Sequence, residues 1–194
     1  MTAKPHPSTI HLALRQATSQ LHAELEGRMP LSAPSVGLAD YLKHLEFMRD
    51  WVEAFPEWPT NDFHLNEVAR VLNQDIAIAD VLLANPRATR GAVVTACAGK
   101  SAAPNTAATW GFAYVLHGSQ LGNQVLYRRW LGVLAPHPLG HLRGSGSETS
   151  KQWKQFLSSL AENVTSAREI DESCAGAVTA FEALLRIVSG KNAA

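Results

Sequence analysis

Eight histidines, at positions 6, 11, 22, 44, 64, 117, 137 and 141, are the side chains of this 194-residue chain best suited to hold a metal or move a proton near neutral pH. Their settings separate them. His137 and His141 are four apart, a ligand spacing on a helix, but Pro138 and Gly140 stand between them in APHPLGHL and weigh against a helix, and so against a metal pair. His6 and His11 belong to an N-terminal stretch expected to be exposed. His44 and His64 sit among mixed residues, where a solvated or hydrogen-bonded role is expected. His22 is set differently: in LRQATSQLHAELE (14–26) it borders the apolar stripe of Leu14, Leu21 and Leu25, with Glu26 one turn on. A glutamate at i+4 can accept from Nδ1 and leave Nε2 to ligate a metal, as second groups commonly orient metal-bound histidines. The same pair also reads as a boundary histidine in an ordinary i,i+4 ion pair.

The second unusual spacing is in HGSQLGNQVL (117–126), where Gly118 and Gly122 interrupt a stretch that reads as a helix over about residues 106–131. Each interior glycine costs a helix about 1 kcal/mol relative to alanine, so something must offset it. Four apart, the two share a helical face, and Gly111, seven before Gly118, extends the same bare strip. Bare backbone admits a neighbouring helix, admits a flat ligand against the main chain, or lets the helix bend. Di-iron carboxylate chemistry needs Glu-x-x-His pairs, and no glutamate here is followed by histidine three residues later. One axial histidine and a glycine-smoothed helix suit instead a flat macrocycle with iron at its centre, held between two helices.

Helices must position these residues. Apolar spacing of three and four runs nearly throughout, with little strict alternation, so the expected fold is all-α. A first helix starts near Ser8 or Thr9 and stops at Gly27 before Pro30; a second covers 35–55 and ends at Pro56; a third runs from about Asn61 into the 80s and is stopped by Pro86. RATRGAVVTACAGKSAAP (87–104) reads as a short helix and a loop. GVLAPHPLGHLRGSGS (132–147) reads as the longest irregular connector, followed by helices near 148–164 and 168–189. Length and a 46% hydrophobic share fit one domain over 1–194, with 1–8 a disordered tail. Seventeen basic residues balance seventeen acidic ones, which leaves no electrostatic footprint for nucleic acid. No leader-like apolar run opens the chain, no window approaches the roughly 20 apolar residues of a spanning helix, and Cys97 and Cys174 stand alone. The expectation is a cytoplasmic protein without nucleic acid or membrane as partner, its two cysteines buried as small apolar residues.

LRQATSQLHAELE (14–26) resembles the proximal-helix motif of heme oxygenases, and YVLHGSQLGNQVL (114–126) resembles their distal-helix motif, in the form found in bacterial members that accompany bacteriophytochromes. The two occur in the family's order. The resemblance implies a single-domain multi-helix bundle with heme, at once substrate and cofactor, between the first helix and a glycine-kinked distal helix. His22 then matches the axial iron ligand, Glu26 its hydrogen-bonding partner, and Gly118, Ser119 and Gly122 the distal segment over bound O2. Arg15 corresponds to a basic residue facing a heme propionate, with Lys154 or Lys151 doing the same from a later helix and Tyr114 among the heme-contacting residues. The implied activity is oxidative cleavage of heme to biliverdin, carbon monoxide and ferrous iron. Its implied partners are an electron donor such as a ferredoxin, a flavodoxin or an NAD(P)H-dependent reductase, docked with help from Arg128 and Arg129, and a bacteriophytochrome that accepts biliverdin.

The chain departs from the family pattern at three positions. Ser119 stands where many members carry an aspartate that organises the water protonating bound oxygen, His117 where the bacterial motif commonly has glutamate, and Asn123 where a third glycine is frequent. His117 lies about 100° around the helix from Gly118, which favours a surface or packing role over contact with an iron-bound ligand. Two alternatives stay open: a heme carrier or sensor in which Ser119 and His117 have removed turnover, and a glycine strip that serves helix packing alone and binds no heme.

Overall fold

The computed structural model describes residues 7–54, 65–84 and 106–192. Among these residues seven α-helices follow one another: α1 Pro7–Glu26, α2 Leu38–Ala54, α3 Leu65–Leu82, α4 Ala107–Trp130, the one-turn α5 Gly140–Arg143, α6 Thr149–Asn163 and α7 Ala167–Asn192. Among the described residues there are also short 3-10 turns at Pro30–Ser32 and Gly146–Glu148. The fold is all-α, with no strand among the described residues. The expected helix at 87–104, with His6, His64 and Cys97, lies outside them.

Local chemistry sets the starts of α4 and α7. Thr106 caps α4 by accepting from the Thr109 N–H. The Glu169 carboxylate accepts from the N–H groups of Thr165 and Ser166, both at 2.8 Å, while Ser166 Oγ accepts from the Glu169 N–H at 3.2 Å. That reciprocal pair satisfies donors a helix start leaves orphaned, and α7 begins there.

The long α7 is the central helix, packed against α1, α2 and α4. It meets α4 where both lack side chains. A Cβ on Gly111 would strike the Ser173 carbonyl and lie 2.6 Å from the Ala177 nitrogen, and one on Gly176 would strike the Ala108 carbonyl. Ser173 Oγ donates to Ala107 O at 2.6 Å beside this crossing. Trp51 Nε1 donates to Ala180 O at 2.8 Å and ties α2 to the same helix; Arg28 Nη1 donates to Ser189 Oγ at 2.8 Å near the end of α1. One core cluster runs through these helices.

Five expectations are corrected. Within α7, Ala167–Gly190 is long and apolar enough to cross a membrane by length and composition, with mean hydropathy 1.2, where no such stretch was expected. The reason is its place in the fold: Ala177, Ala180, Phe181, Leu184 and Val188 share one core-facing stripe, and Ala183 and Leu185 are buried to either side of it, so the apolar share of the helix is high. The 132–147 connector is more ordered than an irregular loop, because it carries α5 and buries Leu139, Leu142, His137 and His141. His44, expected to be solvated or hydrogen-bonded, is only 3% exposed, and neither ring nitrogen has a partner among the described residues. His11, expected to be exposed, is half-buried between Tyr114 and Trp153. Cys174 is half-buried at the core's edge.

Candidate functional site

His22 stands on the outward side of α1 with 58% of its side chain exposed, and its Nδ1 lies 3.5 Å from Glu26 Oε1, itself 70% exposed. That distance is the outer limit of a hydrogen bond, as expected for two solvated side chains one helical turn apart. The ring is not free of the fold: it meets Phe181 of α7 edge-on, centroids 5.9 Å apart. Phe181 was not foreseen, since nothing in the local sequence tells which α7 residue docks beneath α1.

Helix α4 touches α1 and the turn that follows it at two points. Near the start, the His11 ring lies 6.0 Å from Tyr114; near the end, Arg129 Nη2 donates to Ala33 O, just after α1, at 3.3 Å. In chain order, the two contacts rise together along α1 with its following turn and along α4. At 1.5 Å per residue, His22 is about 16 Å beyond His11, and Gly118 and Gly122 are about 6 and 12 Å beyond Tyr114. Of the two glycines, Gly122 thus comes nearer the level of His22 along these helices. A Cβ on Gly118 or on Gly122 would have no described neighbour within 4 Å. The glycine strip splits accordingly: Gly111 serves helix packing, whereas Gly118 and Gly122 face an uncovered flank.

Arg15 is exposed two turns before His22 on the same side of α1 and lies close enough to Tyr114 to oppose the rise that burial imposes on its phenol pKa. Tyr114 packs its ring on Trp153, centroids 5.5 Å apart. Lys154, one residue beyond Trp153, is exposed and makes no hydrogen bond or ion pair among the described residues, and Lys151 pairs with Glu148 at 3.4 Å. The structure thus brings Arg15 and Tyr114 together with the His22 flank but ties neither lysine to it.

Ser119 Oγ donates to Leu116 O at 2.7 Å, so its proton is turned into its own helix. His117 stacks on Phe156, ring centroids 4.5 Å apart and planes 11° from parallel, and borders a separate cavity of about 480 Å³. That cavity, also lined by Asp75, Gln120, His141 and Thr149, lies around α4 from the glycine flank. His137 and His141 are each committed within the fold. His137 Nε2 donates to Asp75 O at 2.9 Å while its Nδ1 accepts from Leu139 N at 3.0 Å, and His141 Nε2 accepts from Asn123 Nδ2 at 3.3 Å. No group of three or more metal-ligating side chains gathers among the described residues.

With this geometry in hand, no protein-family model, curated protein or solved structure matches the chain. The functional reading therefore rests on the residues themselves.

Proposed function

We propose that this chain is a heme oxygenase, binding heme between α1 and α4 with His22 as axial ligand and cleaving it to biliverdin, carbon monoxide and ferrous iron. O2 and electrons from a ferredoxin, flavodoxin or NAD(P)H-dependent reductase would drive the reaction. The observation that carries the proposal is an exposed histidine backed by a carboxylate on α1 together with two glycines on α4 that nothing described packs against. A packing role alone accounts for Gly111 and leaves Gly118 and Gly122 unexplained.

The residues present fit the group. His22 offers one ring nitrogen while Glu26 is placed to hold the other, and Gly118 and Gly122 expose main chain where a flat ring needs close approach. Arg15 supplies a positive charge beside Tyr114 for a carboxylate. Bound heme would supply the iron that binds O2 and the porphyrin edge that is oxidised. Ser119, whose proton is engaged with Leu116 O, keeps oxygen lone pairs to accept from a water and so can hold one near the glycines, but does not itself offer a proton.

The engaged Ser119 hydroxyl also favours a second reading, a heme carrier or sensor without turnover. A version of it with His117 on the iron has no support, since that ring is stacked on Phe156. Hemin titration of wild type and His22→Ala, followed by reductant under air, decides. The proposal expects one hemin per chain, loss of the axial nitrogen signature in the variant, and biliverdin absorbance on reduction. Intact heme after reduction would establish the carrier, and identical spectra for the two proteins would remove His22 from the site.

A further inference from the structure

Gly118 and Gly122 leave the front of α4 without packing, so the height of this segment above any ligand must be set from behind. Two consecutive side chains on its far side reach one small object. Asn123 Nδ2 donates to His141 Nε2 at 3.3 Å and to His141 O at 3.4 Å, while Gln124 Nε2 donates to Arg143 O at 2.6 Å and to Leu142 O at 3.4 Å. These carbonyls close the one-turn helix α5, and a helix end leaves such carbonyls without intrahelical partners. The start of α5 is held from another helix: the His141 N–H donates to Asp75 Oδ2 of α3 at 2.8 Å, and Tyr41 of α2 donates to the same oxygen at 2.7 Å. His137 Nε2 reaches the Asp75 carbonyl. Space is tight as well, since a Cβ on Gly140 would lie 2.9 Å from Asp75 Oδ1. Just before α5, Leu139 is fully buried with φ of 53°, a left-handed conformation that a branched residue adopts only where its surroundings impose it.

We propose that α5 is a strut between α3 and α4, and that Asn123 and Gln124 are positioning residues that set the height of the Gly118–Gly122 segment over the ligand flank. Neither touches the flank; they act through α4. The strut stands on the hydrogen bonds alone, while its consequence for a ligand rests on the heme-binding proposal. Small displacements of a positioning element change how a bound molecule sits far more than whether the chain folds.

Gln124 is partly exposed, so its variants test the strut without emptying the core. Gln124→Glu keeps the shape but turns a negative acceptor toward the Arg143 carbonyl; Gln124→Arg keeps a donor there. In the heme-free protein, Gln124→Glu is expected to speed amide exchange at residues 118–124 by about tenfold, with α7 unchanged, and Gln124→Arg to restore it. In the hemin-loaded, reduced protein, the stretching band of bound CO is expected to shift or broaden in Gln124→Glu and return in Gln124→Arg. Unchanged exchange overturns the strut, and altered exchange with an unchanged CO band overturns the positioning role. If wild type binds no hemin through His22, the functional proposal fails separately, and the exchange measurement still decides the strut.

Discussion

At the scale of single residues, His44 and His22 show how one side-chain type takes opposite roles. His44 is enclosed, its ring 5.9 Å from His141 and stacked over Tyr41 at 6.4 Å. Burial first, and the neighbouring His141 second, lower its pKa to about 3; burial lowers that of His141 to about 4 against the pull of Asp75. Both are neutral in the fold, whereas the unfolded chain takes up protons near pH 6.5. Their contribution to stability is therefore complete above about pH 6.5 and falls as pH drops toward 4 and then 3, by roughly 1.4 kcal/mol per histidine per pH unit. Urea unfolding at pH 7, 6 and 5 should show this decline. His44→Phe, which replaces two unpartnered ring nitrogens with an apolar ring, should roughly halve the slope and leave stability at pH 7 equal or higher. An unaltered slope would mean that His44 is not the titrating group. At the flank, Ser119→Ala should lower biliverdin formation only modestly, because the hydroxyl's proton is already engaged with Leu116 O; complete loss in single-turnover assays would assign it the proton delivery denied it above.

At the scale of helices, the glycines of α4 separate packing from ligand space. Gly111→Ala must push against the Ser173 carbonyl and the Ala177 nitrogen, both main chain, and should destabilise the heme-free protein by about 1–3 kcal/mol or more. Gly122→Val has no described neighbour to strike and replaces the poorest of the non-proline helix formers, so heme-free stability should hold or rise slightly. Hemin affinity or biliverdin yield should nevertheless fall. Thermal melts of the two heme-free variants, set beside hemin titrations, check both statements together; a large stability loss in Gly122→Val with normal yield per loaded molecule would return that glycine to packing. Seen from the sequence, Gly111, Gly118 and Gly122 form one stripe, because helical periodicity repeats along α4. Their difference comes from α7, which crosses at Gly111 and leaves the later two uncovered.

At the scale of the molecule, His22 on α1 and the glycines on α4 belong to two helices that both rest on α7, so a ligand bound between them adds a tie to the few contacts those helices share. A ligand that binds only the folded state stabilises it by mass action, about 2.7 kcal/mol at a hundredfold excess over Kd. Hemin should thus raise Tm for wild type and much less for His22→Ala, and an equal rise in both would place its binding elsewhere. Helix identity and several helix ends were legible in the chain itself: the three-four apolar spacing, the stop at Gly27, the end of the third helix in the 80s and the start of α4 near Thr106 rest on residues within a few positions of each other. The His22–Glu26 pair was legible for the same reason, being one helical turn. Tertiary structure alone decided that His44, His137 and His141 are interior, that Phe181 lies against His22, that Asn123 grips α5 and that Gly118 and Gly122 stay bare. Each of these depends on which helix docks against which, and residues 18 to 159 positions apart have no local signal by which to declare that they will meet.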